Sequence, residues 1–79
     1  MKVAPVIVEL FIIYQHPAAY PDSWVVFRQV VSPEGQYITE QTPLIVAPTL
    51  HQARTVIPPN WFNIGRDPDG DPTIFEVWI

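Results

Sequence analysis

Apolar residues in this chain fall into short runs that alternate in direction. The first, VIVELFIIY, runs from Val6 to Tyr14, with Pro5 at its start, where a strand tolerates proline. Val6, Val8, Leu10, Ile12 and Tyr14 point one way, and Ile7, Glu9, Phe11 and Ile13 the other, because strand side chains alternate. The first face is almost wholly apolar, and a single charge, Glu9, interrupts the second. The β-branched content favours a strand over a buried helix. The run WVVFRQVV, Trp24–Val31, repeats the pattern. Trp24, Val26, Arg28 and Val30 share one side; Val25, Phe27, Gln29 and Val31 share the other. Between these runs, QHPAAYPDS at 15–23 is a loop whose path Pro17 and Pro21 fix. Ser32–Gly35 is a turn signal, Gln36–Thr42 is a hairpin arm or a loose loop, and Leu44–Ala47 is a short strand.

The period changes once, at Thr49–Pro59, TLHQARTVIPP. Leu50, Ala53, Val56 and Ile57 recur at helical spacing, and His51, Gln52, Arg54 and Thr55 fill the other side. Thr49 can cap the first turn with its hydroxyl. Arg54 suits the negative end of the helix dipole. Pro58 and Pro59 stop the helix, since the residue before proline avoids helical geometry. A helix of about nine residues does not stand alone in water, so it must lie on a sheet. After it, WFNIGR at Trp61–Arg66 is a weak strand, with Gly65 marking a bulge or a close approach. DPDGDP at Asp67–Pro72 is a strong turn, and TIFEVWI at Thr73–Ile79 is the last strand, paired to its end. Within it Thr73, Phe75, Val77 and Ile79 make one face, and Ile74, Glu76 and Trp78 the other.

The order β, β, short β, α, β, β with short connections predicts an α+β fold. It is an antiparallel sheet of four to five strands with one short helix packed on one face, in a single domain over 1–79. One short helix does not cover a sheet face, yet several strands are apolar on both sides. A second copy of the chain is the expected cover.

Composition narrows the function classes. At 79 residues, with 48% hydrophobic and 15% charged, the chain is globular rather than disordered. Its net charge is −4 and its only cations are Lys2, Arg28, Arg54 and Arg66, which argues against nucleic-acid binding. Without cysteine it carries neither a disulfide framework nor a zinc ribbon, and a reducing, cytoplasmic address is expected. The apolar run Val3–Tyr14 is too short to span a bilayer and lacks the features of a signal peptide.

Candidate chemistry is sparse. Asp67, Asp69 and Asp71 alternate as calcium ligands can, but Gly70 falls too early for a calcium loop and Trp78 takes the position of its bidentate glutamate. The run reads as a turn, with a cation site left as the alternative. His16 and His51 have no second histidine at ligand spacing. Glu9, Arg28 and Glu76 are lone charges in apolar strands. The two carboxylates can form a general acid/base pair, but the plainer reading is one Arg–carboxylate cluster on the less covered sheet face or at an interface, because a buried charge needs a partner. Of the aromatics Tyr14, Tyr20, Trp24, Trp61, Phe62, Phe75 and Trp78, most belong to the core of so small a domain. Tyr20, Trp24, Trp61 and Trp78 are the candidates for a ligand pocket.

Three stretches, YQHPAAYPDSWVVFRQVV at Tyr14–Val31, TLHQARTVIPP and the ending DGDPTIFEVWI, make the chain resemble a family of small bacterial, sometimes prophage-associated, proteins of unknown function. The resemblance spans most of the chain beyond Leu10. It implies no activity, substrate or cofactor, and it transfers no functional residue. The expectation is therefore a non-enzymatic structural or protein-interaction domain without cofactor, self-associating through sheet face or edge as a homodimer or joining another protein. A small-ligand or peptide binder using the aromatic pocket is the alternative.

Overall fold

A computed structural model describes residues 8–79 of the chain. Its strands are β1 (Val8–Gln15), β2 (Trp24–Val31), β3 (Tyr37–Thr39), β4 (Ile45–Ala47), β5 (Asn63–Gly65) and β6 (Ile74–Trp78), with one helix, α1 (Leu50–Arg54). All pair antiparallel in the order β3-β2-β1-β6-β5, and β4 lies on the same edge of β2 as β3. Six strands thus occupy five positions across an α+β sheet. The expected opening of the first strand at Pro5–Ile7 lies outside the described residues.

The long alternating runs became the three central strands. β1 and β2 pair along their whole length, from Val8 opposite Val31 to Gln15 opposite Trp24. The turn between β2 and β3 closes on Gly35, whose φ of 82° favours glycine, with its N–H donating to the Ser32 carbonyl at 2.9 Å. β3 resolves the ambiguous segment 36–42 as a three-residue hairpin arm. Residues 40–44 then bulge away from β2, five facing the two residues Phe27 and Arg28, before β4 resumes the pairing. At the other end Phe62 and Ile79 exchange backbone hydrogen bonds of 2.9 Å, so the last residue is held in the sheet.

α1 has five residues, not about nine. Its start is as expected: the Thr49 hydroxyl accepts from the Gln52 N–H at 3.2 Å. It ends early because tighter bonds replace helical ones. Thr55 N–H donates to the Gln52 carbonyl and Ile57 N–H to the Arg54 carbonyl, both at 3.1 Å. The Thr55 hydroxyl adds a 2.6 Å bond to the same Gln52 carbonyl. Val56 and Ile57 still reach the core from this turn.

A second departure lies in β6. Ile13 faces Glu76 but Tyr14 faces Ile74, so Phe75 is the extra residue of a bulge. Strict alternation puts Phe75 on the side opposite Trp24; the bulge instead brings the two rings edge to face at 4.9 Å.

Candidate functional site

The two faces of the sheet are unlike. On one, Phe11, Ile13 and Val26 form the core with Ala47 and Ala53, the last supplied by α1. Trp24, Ile45, Leu50, Val56, Ile57, Trp61 and Trp78 close around them. Trp61 stands edge-on to Phe11 at 4.7 Å. The charges of the strands are all on this covered face.

Those charges form two groups, not one cluster. Arg28 pairs with Glu9, which lies diagonally across the β1–β2 ladder, and its Nη1 donates to Glu40 Oε1 at 2.9 Å. Both carboxylates, Glu40 foremost, hold the guanidinium above its ordinary pKa. Glu76 does not join them, because β1 and its Phe11 and Ile13 side chains stand between. It pairs instead with Arg54 of α1, whose Nε donates to Oε1 at 3.0 Å and whose Nη2 donates to Oε2. The Trp78 indole adds a third bond at 2.9 Å. Glu76 is only 5% exposed. Burial works to raise its pKa, but the bonds from Arg54 and Trp78 outweigh that and leave the carboxyl below its usual range. Sequence reading assigned Arg54 only to the helix dipole. The available signal was Glu76 itself: a lone carboxylate in an apolar strand needs a cation, and the helix had to lie on that sheet.

Among the described residues no helix lies on the opposite face. Register places its residues in rows across the strands. Tyr37, Val31 and Val8 form one; Thr39, Gln29 and Leu10 the next; Phe27, Ile12 and Val77 the third; Val46, Val25, Tyr14 and Ile74 the fourth. Phe62 and Ile79, paired beyond Val77, extend the same side. None of these positions carries an acid or a base of the Asp, Glu, Lys, Arg or His kind. The two polar residues satisfy each other, Gln29 Nε2 donating to Thr39 Oγ1 at 2.8 Å. Tyr14 and Phe27 meet edge to face at 5.7 Å and shield Ile12 and Val25, which are buried. Burial, with the Asp71 charge in support, raises the Tyr14 phenol pKa. Around that centre the cover thins: Tyr37 is 70% exposed and Phe62 75%.

The aromatic pocket is not assembled. Trp24, Trp61 and Trp78 pack against the core, and Tyr20 is exposed in loop 16–23, its N–H bonded to the Pro17 carbonyl at 2.8 Å. Trp24 is further closed by Phe75 and by His16, 5.5 Å away. No cavity is present among the described residues. His51 is exposed on the helix.

The acidic run is a pair of local turns. Asp67 Oδ1 accepts from the Asp69 N–H, and Asp71 Oδ1 from the Thr73 N–H, each at 2.9 Å. The Thr73 hydroxyl also bonds Asp71 Oδ1 at 2.7 Å, and these bonds lower the Asp71 pKa. Among the described residues no three metal-ligating side chains converge. No helix among them is long and apolar enough to cross a membrane.

A comparison with known protein families, with curated proteins and with solved structures finds no match.

Proposed function

We propose that this protein is a small structural or protein-interaction domain without catalysis of its own, and that its sheet joins it to a second copy. One observation carries the reading: among the described residues, a sheet five strands wide has one face under a helix and no element over the other, and that second face has no charged strand residue and, apart from its phenols, one polar pair, Gln29–Thr39. Contiguous exposed apolar surface of this kind marks interaction sites. The carboxylates within the strands support a structural role as well, since Glu9 and Glu76 are each tied to an arginine rather than poised for proton transfer. A cytoplasmic setting suits a chain without cysteine.

Size-exclusion chromatography with light scattering tests the reading. The expected mass is twice the 9.0 kDa of the chain. A mass of one chain, held up to millimolar concentration, refutes it.

A further inference from the structure

We infer that the two copies meet face to face, bare sheet on bare sheet about a two-fold axis, with the two helices outermost. The inference rests on the self-association proposed above and concerns which surface performs it. A sheet offers two routes to a copy, its edge or its face.

The edges are poor templates. β5 has three residues, with a register shift between Asn63 and Gly65 and a left-handed Gly65 at φ 75°. The other edge is split into β3 and β4, three residues each, by the bulge at 40–44 that contains Pro43. Pro48 follows β4 directly. Short strands, bulges and prolines are the devices that blunt edge pairing.

The face has the area. Summed over their own lengths at ordinary strand spacing and rise, the six strands with the paired Phe62 and Ile79 cover roughly 500 Å² per copy. A pair of copies then buries about 1,000 Å², the area a specific protein–protein interface has to clear.

The charge distribution selects a second copy as the occupant. The eight acidic residues give a net −4, which opposes self-association if they meet. They do not meet here. Glu9, Glu40 and Glu76 are paired to arginines on the covered side, and Asp22, Glu34, Asp67, Asp69 and Asp71 lie in loops. No strand residue of the bare face carries a fixed charge by which a different partner would be selected, and the acid nearest its Tyr14, Asp71, lies in the turn before β6. Apolar rows stacked on their own two-fold copies, about 10 Å apart, leave no ion unpaired.

Two neighbours on β3 separate face from edge. Tyr37 opposes Val31 and points to the bare side; Ile38 opposes Val30 and points to the covered side. Both are already exposed, at 70% and 51%, so a glutamate at either leaves the fold intact. Leu10→Glu, at the middle of the bare face, is the severe variant, with circular dichroism checking that it folds. Sedimentation equilibrium should show the dimer constant weakened about 100-fold or more by Leu10→Glu, about tenfold by Tyr37→Glu and less than about twofold by Ile38→Glu, as burial of a charge at centre, rim and outside of an interface dictates. Equal weakening by Tyr37→Glu and Ile38→Glu overturns the face in favour of the edge. A folded Leu10→Glu that still pairs at wild-type strength also overturns it. If Leu10→Glu does not fold, the Tyr37 and Ile38 pair decides alone. A wild-type chain that stays monomeric refutes the self-association itself, a different failure from either.

Discussion

The covered face of the sheet tolerates charge, and the bare one carries none. Glu9, Arg28 and Glu76 break the apolar pattern only on the side where a helix, a bulge or an indole brings a partner. On the far side, where no such element arrives among the described residues, the strands are apolar throughout apart from the Gln29–Thr39 pair and two phenols. A monomer facing water reverses this: the solvated side of an antiparallel sheet is ordinarily its polar side. The difference teaches that the charges of the strands follow cover, and it is the ground for the proposal that an apolar surface covers the bare side.

Truncation sharpens the contrast most. Ile13→Ala, in the fully buried centre of the covered face, should cost about 3–4 kcal/mol, because transfer and cavity losses add. Urea unfolding followed by circular dichroism measures it, and the loss should not depend on protein concentration. Leu10→Ala on the bare face should cost less and should depend on concentration, because part of its burial comes from the other copy. Equal, concentration-independent losses would erase the distinction between the faces.

Next in size is the link from helix to sheet. Arg54→Ala leaves the Glu76 carboxylate buried without its cation, held by the Trp78 indole and the Asn63 side chain, and should cost about 2 kcal/mol, the range for a hydrogen-bonded charge. The same pair sets a pH dependence. Glu76 binds its proton less readily folded than unfolded, so the stability it gives is complete above the unfolded carboxyl pKa of about 4.3 and falls as pH drops through the folded value. Glu76→Gln should flatten the acid limb of a melting-temperature profile; an unchanged limb places the acid sensitivity elsewhere.

Smaller effects follow at the cap and at the exposed ion pair. Thr49→Ala removes the acceptor for the Gln52 N–H and should cost about 1 kcal/mol. Arg28→Ala should cost less than about 1 kcal/mol, and the loss should shrink in salt, because its partners are partly solvated. A larger loss at Arg28 than at Arg54 would reverse the ranking of the two ion pairs.

Much of this fold is legible in residue patterns. The alternation of β1 and β2, the Thr49 cap and the turn at Gly35 each follow from local chemistry, and Glu9 with Arg28 follows from the need of a lone charge for a partner. What was not legible depends on contacts between elements. Pro58 marks the last residue a helix can include, but the bonds of Thr55 and Ile57 that end it earlier are set by how Val56 and Ile57 turn into the core. The bulge at Phe75 has no glycine or proline to announce it, so alternation misplaces that ring. Assigning Glu76 to Arg54 rather than Arg28 requires knowing that β1 separates the two, which is strand order. The aromatic residues suggested a pocket by composition alone, and a small domain packs such rings against each other first.

Methyl NMR with a soluble paramagnetic agent tests the central claim most directly, by reading which side chains water reaches. At concentrations that favour association, the methyls of Leu10, Val31 and Val77 on the bare face should broaden as little as those of Ile13 and Val26 in the core, and dilution should restore their broadening. Methyls of Leu10, Val31 and Val77 that broaden as strongly as the exposed Ile38 at every concentration would contradict it.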